Sequence, residues 1–268
     1  MKIISLHLYP VKSCAGLDVD SFQLDDRGPV VGAVHDRGWM IMDEANKVFL
    51  SQRNYPQMTQ IKPSIHEGKL RLEVSGRQYD IKSGPGENFA AAIWDSVCQV
   101  TDEGDEIARA LSDFLEVDVR LVRMADGCER PLSEKYQTAP GGPGSQTLFA
   151  DAMPVLLTTT GSLEELNRRT PAPVPMNRFR ANVVVSLDEA FAEDGWSKLM
   201  IASVSFRVTK ACARCVIVNT DQVSGQRGVE PLKTLASFRR QTNKVLFGQY
   251  LAHESTGEIR VGDTVALV

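Results

Sequence analysis

Cys212 and Cys215, three apart in Lys210-Ala-Cys-Ala-Arg-Cys215, are the residues of this chain whose type and spacing best suit chemistry. A redox dithiol normally follows a strand and opens a helix, and the β-branched run Val216-Ile-Val after Cys215 argues against that helix. A structural zinc site takes four ligands, usually as two close pairs. Here Cys14, Cys98, Cys128 and the four histidines are scattered singly. The plain alternative is two small buried apolar residues, the usual state of free cysteines. An electrophilic metal centre is a further user of such a thiolate.

Basic residues at strand ends are the second chemical feature. Lys12-Ser13 follows Tyr-Pro-Val after the first strand and joins an ammonium to a hydroxyl where anions bind well. Arg37, after Asp36, and Arg53, after Gln52, each stand at a strand boundary, and each has an ordinary reading as a solvated surface residue. Asn177-Arg-Phe-Arg-Ala-Asn182 brings two arginines and two amides in front of the apolar strand Val183-Val-Val-Ser. Planar guanidinium and amide groups suit bidentate contacts to a phosphate or a heterocycle edge.

The elements that must position these groups are mostly strands. Val204–Lys210 alternates and Val216–Thr220 is β-branched, so two strands are predicted with the cysteines in the loop between them. From residue 1 to about 82, candidates at Ile3–Tyr9, Ser21–Leu24, Trp39–Asp43, Leu70–Val74 and Gln78–Ile81 recur between turn signals, as in a small bent sheet or barrel. Ser83-Gly-Pro-Gly-Glu breaks the pattern. Asp105 is placed to cap a helix over Glu106–Leu115, whose apolar residues Ile107, Ala110, Leu111 and Phe114 share one face. Further on come strands at Val117–Val122, Val155–Thr159, Ala181–Ser186, Phe247–His253 and Thr264–Leu267, and the turn-rich loop Pro140-Gly-Gly-Pro-Gly-Ser. A helix over Ser162–Asn167 carries a Ser162/Glu165 capping box, and another is expected over Pro231–Gln241. The fold class is therefore mainly β with helices, α+β, with a barrel in each half.

A chain of 268 residues with 43% hydrophobic and 24% charged content has the balance of a globular protein with a sizeable core. Its net charge of −4 gives no global attraction to nucleic acid or anionic membranes, so any anion site must be local. No secretory signal opens the sequence and no apolar run approaches the roughly 20 residues that span a bilayer. Five cysteines without a paired framework fit free thiols in a reducing cytoplasm.

Taken together, Tyr9-Pro-Val-Lys-Ser-Cys14, Asp36-Arg37, Phe179-Arg-Ala-Asn182, Cys212-Ala-Arg-Cys215, Asp221-Gln-Val-Ser-Gly225, Glu230-Pro-Leu-Lys-Thr-Leu235 and Phe247-Gly-Gln-Tyr250 resemble one family. They are similar, in order and over essentially the whole chain, to the MOSC domain proteins of the YcbX and mitochondrial amidoxime-reducing branch. The resemblance implies a MOSC N-terminal β-barrel domain over residues 1–118, closed by the helix near 105–115, and a MOSC domain over 119–268. It implies the molybdenum cofactor, Mo-molybdopterin, with Cys215 as the metal ligand and Cys212 as a neighbour. A single soft thiolate suits a metal whose other ligands are dithiolene and oxo groups. Arg214 and Lys210 would add favourable field for that thiolate. By the same transfer Lys12, Ser13, Arg37, Arg180 and Asn182 hold the pterin and its phosphate, Asp151 lies close to the metal, and Arg53 stands behind it.

The implied activity is reduction of N-hydroxylated small molecules such as hydroxylamino-purines, amidoximes or N-oxides. Some relatives carry a plant-type ferredoxin domain, marked by a C-x4-C-x2-C run that this sequence lacks. Electrons are thus expected from a separate ferredoxin, flavoprotein or cytochrome-like partner. Two other classes remain: a carrier of the cofactor or its sulfur, and a barrel that binds no metal. Substrate choice would rest on loops such as Ala139–Ser145 and Pro171–Pro175.

Overall fold

The computed structural model describes residues 1–137 and 141–268. Its largest sheet has the order Leu17–Val19, Lys2–Leu8, Val183–Ser186, Val155–Thr159, Lys244–His253, Val204–Arg214, Lys198–Ile201, Val265–Leu267, with Arg240–Gln241 pairing off the path. One pair in it is parallel, Val155–Thr159 with Val183–Ser186, and the helix Thr160–Arg169 begins their connection. A second sheet runs Asn88–Ile93, Ser96–Asp102, Val119–Met124, Trp39–Asp43. Smaller sheets are Gly257–Arg260, Ser21–Asp25, Gly28–Val31, Val34–His35 and the meander Lys62–His66, Lys69–Val74, Arg77–Asp80. The protein is strand-rich α+β, as the alternating pattern required.

Strands from the two halves interleave. Lys2–Leu8 pairs with Val183–Ser186, Trp39–Asp43 with Val119–Met124, and Ser21–Asp25 with Gly257–Arg260. A register shift between Ile3 and Ser5 acts as a bulge. It lets Ile3 and Leu6 share one core with Phe22, Leu157, Val183 and Phe206, while Leu8 enters the other with Val11, Ile41, Leu111 and Leu121. The first strand thereby delivers the Lys12-Ser13 turn beside the Arg180–Asn182 segment: Leu6 is opposite Val183, and the His7 amide donates to the Asn182 carbonyl at 2.9 Å.

Several expected elements change. Val204–Arg214 is one strand running through Cys212, and Val216–Asn219 is a single 3₁₀ turn, not a strand. Cys215 is the hinge between them, with φ −125° and ψ −176°, and its carbonyl accepts from Val218 N at 3.2 Å. β-Branched residues carry only a small helical penalty, and one turn that buries Val218 overrides it. The helix Asp105–Leu115 is capped by Gly104, while Asp105 is inside it and pairs with Arg120 at 2.8 Å. In the helix Thr160–Arg169 the cap is Thr159, whose side chain accepts from Ser162 N. The Ser162/Glu165 box does not form, because Ser162 Oγ is taken by buried Glu193 at 2.7 Å and Glu165 by Arg168 and Arg169. The last helix covers Leu232–Phe238, since Arg240–Gln241 turns back to pair with Lys244–Val245. Within the loop expected at Pro140–Ser145, Pro140 lies outside the described residues, as does Ala139. Among the described residues no helix is long and apolar enough to cross a membrane.

Candidate functional site

The site grows from the turn after the first strand. Lys12 N donates to Trp39 O at 2.8 Å, Cys14 N to Val11 O at 3.1 Å, and Ser13 takes the left-handed φ of 67° that closes the turn. The turn buries the Lys12 side chain, whose Nζ donates to Phe149 O at 3.0 Å and to the Asp151 carboxylate. Nζ also lies 4.9 Å from the Phe49 ring centroid. An ammonium this deep persists only with such partners. Burial pushes its pKa down, and Asp151 opposes that shift.

Arg37, also left-handed with φ 50°, is fixed by its backbone: its N donates to Tyr9 O at 2.7 Å and its O accepts from Phe149 N at 2.9 Å. Its guanidinium reaches Asp36 at 2.5 Å, Arg180 O at 3.2 Å and Asn182 Oδ1 at 3.4 Å. Arg180 has φ 54° and donates to Cys14 O at 2.6 Å and to Gln222 Oε1 at 3.2 Å. Both guanidinium carbons lie 4.4 Å from the centroid of the Tyr9 ring. Asn182 ties the halves together, donating to Asp36 at 2.9 Å and His7 O at 3.2 Å and accepting from Leu156 N at 3.1 Å.

The opposite wall is the end of strand Val204–Arg214. Arg214 donates to Cys212 Sγ at 2.8 Å and to Phe179 O at 2.6 Å, leaving its buried Nε without a protein partner. Cys215 is half-buried, and Arg53 NH2 comes to 3.6 Å of its sulfur from 162 residues away in sequence. All five cysteines are free thiols.

Lys12, Ser13, Arg37, Asp151, Arg180, Asn182, Arg214 and Cys215 line one cleft of about 730 Å³, its open mouth included. Arg53 is outside this lining and reaches it only at the Cys215 sulfur. Lys210, expected to support the thiolate, lies instead 4.4 Å from the Tyr136 ring centroid. Cys212 and Tyr250 also line the cleft, and Tyr250 was not expected there. Trp94 is outside this lining but borders it, its indole donating to Asp151 Oδ1 at 3.3 Å. Their signal in the sequence was faint: Tyr250 only ends the Phe247-Gly-Gln-Tyr250 segment, and Trp94 is an aromatic residue in a place that reads as a turn.

The cleft holds more positive charge than its carboxylates neutralise. Arg180 is pushed down to about 10 by burial and by the neighbouring Arg37. Burial lowers Arg37 too, but the Asp36 carboxylate prevails and raises it. Burial alone would raise Asp151; Lys12 first, then Arg53 and Arg37, bring it to about 2. These cationic neighbours favour the charged form of the Asp151 carboxylate. Burial raises Tyr9 to about 12 and lifts Tyr250 well above its ordinary value. Among the described residues no three His, Cys, Asp or Glu side chains cluster as a protein-only metal cage. The arrangement suits a multiply charged anion in a basic cleft that also presents the sulfurs of Cys212, bonded by Arg214, and Cys215, approached by Arg53.

Sequence comparison matches residues 1–118 to the MOSC N-terminal beta barrel domain and residues 144–266 to the MOSC domain. Mitochondrial amidoxime-reducing component 1 of Mus musculus is 31% identical over 99% of this chain and 82% of its own length. Mitochondrial amidoxime reducing component 2 of Rattus norvegicus is 32% identical over 96% and 80%. The molybdenum cofactor sulfurase of Danio rerio is 33% identical over 94% of this chain but only 32% of its own length. Among solved structures, the YUAD protein from Bacillus subtilis overlaps 98% of this chain and 93% of its own at 10% identity, with a TM-score of 0.41.

Proposed function

The chain belongs to the MOSC domain proteins and carries their N-terminal β-barrel domain, and from that premise we propose a molybdenum cofactor-dependent oxidoreductase that reduces N-hydroxylated small molecules. The observation that carries this reading is Cys215 at the edge of a cleft with Lys12, Arg37, Arg180 and Arg214 in its walls. The residues fit such a cofactor. Arg180 and Arg37 repel one another in a buried place that an anion would relieve, and the orphaned Arg214 Nε is a donor lacking an acceptor.

In this reading Cys215 supplies the protein's one ligand as a thiolate, and Arg53 NH2 at 3.6 Å holds that sulfur in place. Arg180 and Arg214 hold the phosphate and pterin edge by charge-assisted hydrogen bonds, with Ser13 beside them. Arg37 and Asn182 already spend most of their hydrogen bonds on protein partners, so they fix the shape of the cleft more than they grip a ligand. Asp151 keeps the buried Lys12 charged and aimed at the cleft. When bound, the cofactor supplies the two-electron chemistry by which an N–OH group, two electrons and two protons give N–H and water. Electrons come from a separate ferredoxin, flavoprotein or cytochrome-like partner.

The match to part of a molybdenum cofactor sulfurase supports a second reading, a cofactor or sulfur carrier without reductase activity. Protein from a cofactor-competent host separates the two. A reductase carries near-stoichiometric molybdenum and reduces benzamidoxime with a chemical reductant but not with NADH alone; a carrier has the metal and no turnover. Cys215→Ser should lose most of the molybdenum while keeping the wild-type circular dichroism spectrum. Full metal retention in that variant would falsify the ligand assignment.

A further inference from the structure

Trp94 stands at the first of two turn residues in the hairpin Asn88–Ile93 and Ser96–Asp102, whose last pair is Ile93 with Ser96. Its φ is 53°, a conformation that hairpin turns normally give to glycine and that a bulky side chain adopts only under strain. Strain of this kind persists where the surroundings fix it. Four partners do so here: the indole Nε1 donates to Asp151 at 3.3 Å, the ring packs on Phe49 at 4.9 Å and 60°, and the Arg53 guanidinium and Lys12 Nζ sit 4.8 Å and 5.5 Å from its centroid.

Trp39, packed in the core, is buried at 5% exposure. Trp94 instead remains 43% exposed. The same Arg53 that covers part of the indole reaches the Cys215 sulfur, and the same Asp151 that anchors it holds Lys12 in the cleft wall. A rigid, half-open aromatic surface is thus fixed one side chain away from the proposed metal ligand. A flat π-system gains from stacking there, whereas an aliphatic group gains little.

We propose that Trp94 is the substrate platform of this site, selecting flat aromatic or heteroaromatic N-hydroxylated compounds by stacking while the N–O group faces the cleft. The proposal rests on the reductase reading above. The rival is a positioning role, in which the indole only holds Arg53 and Asp151 in place.

The test uses holoenzyme with reduced methyl viologen and two substrates that share a reacting group, benzamidoxime and acetamidoxime. Trp94→Gly suits the turn's φ, and Trp94→Phe keeps a ring. Expected for Trp94→Gly is a roughly tenfold or greater fall in the benzamidoxime to acetamidoxime ratio of kcat/KM, carried by KM, with most of the ratio restored in Trp94→Phe. An equal loss on both substrates, or an unchanged ratio, overturns the platform.

Calorimetric binding of adenine, which is flat and has no N–O bond, gives a readout independent of turnover. Its affinity should fall about tenfold in Trp94→Gly. Absent binding to wild type, or binding insensitive to the substitution, overturns the platform even if both amidoximes are reduced. Trp94-dependent adenine binding without any amidoxime turnover instead sinks the reductase reading and leaves Trp94 as a stacking site for flat heteroaromatic ligands.

Discussion

Lys12 and Asp151 show how a single buried charge shapes the site. The ammonium is 5% exposed and would be costly alone, so the half-exposed carboxylate facing it is what keeps the cleft wall cationic. In the unfolded chain Asp151 titrates near 3.8 and in the folded protein near 2, so its contribution to stability is complete above about pH 4 and is lost as pH falls toward 2. Solvent screening keeps that contribution modest. Asp151→Asn should therefore flatten the dependence of the urea midpoint on pH between about 4 and 2. A slope equal to that of wild type across this window would show that the pair does not form.

At the scale of elements, the departures from the expected pattern come from side chains that found distant partners. Ser162 was free to cap its own helix, but buried Glu193 needs donors and takes Ser162 and Thr159. Thr159→Ala removes both the cap and a bond to a buried carboxylate and should cost about 1–2 kcal/mol in urea unfolding. Glu165→Ala touches only arginines on the helix surface and should cost under about 0.5 kcal/mol. Equal effects would restore the capping box. The strand Val204–Arg214 teaches the same lesson, since register shifts between Val208 and Lys210 and between Ala211 and Ala213 re-aim its end toward the cleft.

Across the whole molecule, the segments matched by the two family domains are adjacent in sequence but share sheets in space. Lys2–Leu8 belongs to the largest sheet, whose other strands, apart from Leu17–Val19, come from beyond residue 150, and Ser21–Asp25 pairs with Gly257–Arg260. A fragment of residues 1–118 removes Val183–Ser186 from Lys2–Leu8 and Gly257–Arg260 from Ser21–Asp25, and uncovers Ile3, Leu6, Phe22 and Leu24. Expressed alone, each part should lack a cooperative unfolding transition, and co-expression should restore one. Independent cooperative folding of residues 1–118 would contradict this view of the interleaved sheets.

The sequence by itself determined the strand-rich class, most strands that alternate strongly and the order of the motifs. Those are local properties, since periodicity and short spacings survive without knowledge of any partner. Trp39–Asp43 and Val155–Thr159 fell where their patterns placed them. Only the tertiary structure decided that Val216–Asn219 turns into a 3₁₀ helix, that Arg53 meets Cys215 and that Trp94 meets Asp151. Those outcomes depend on strand register and loop closure between segments tens to hundreds of residues apart, where sequence spacing carries no information about distance.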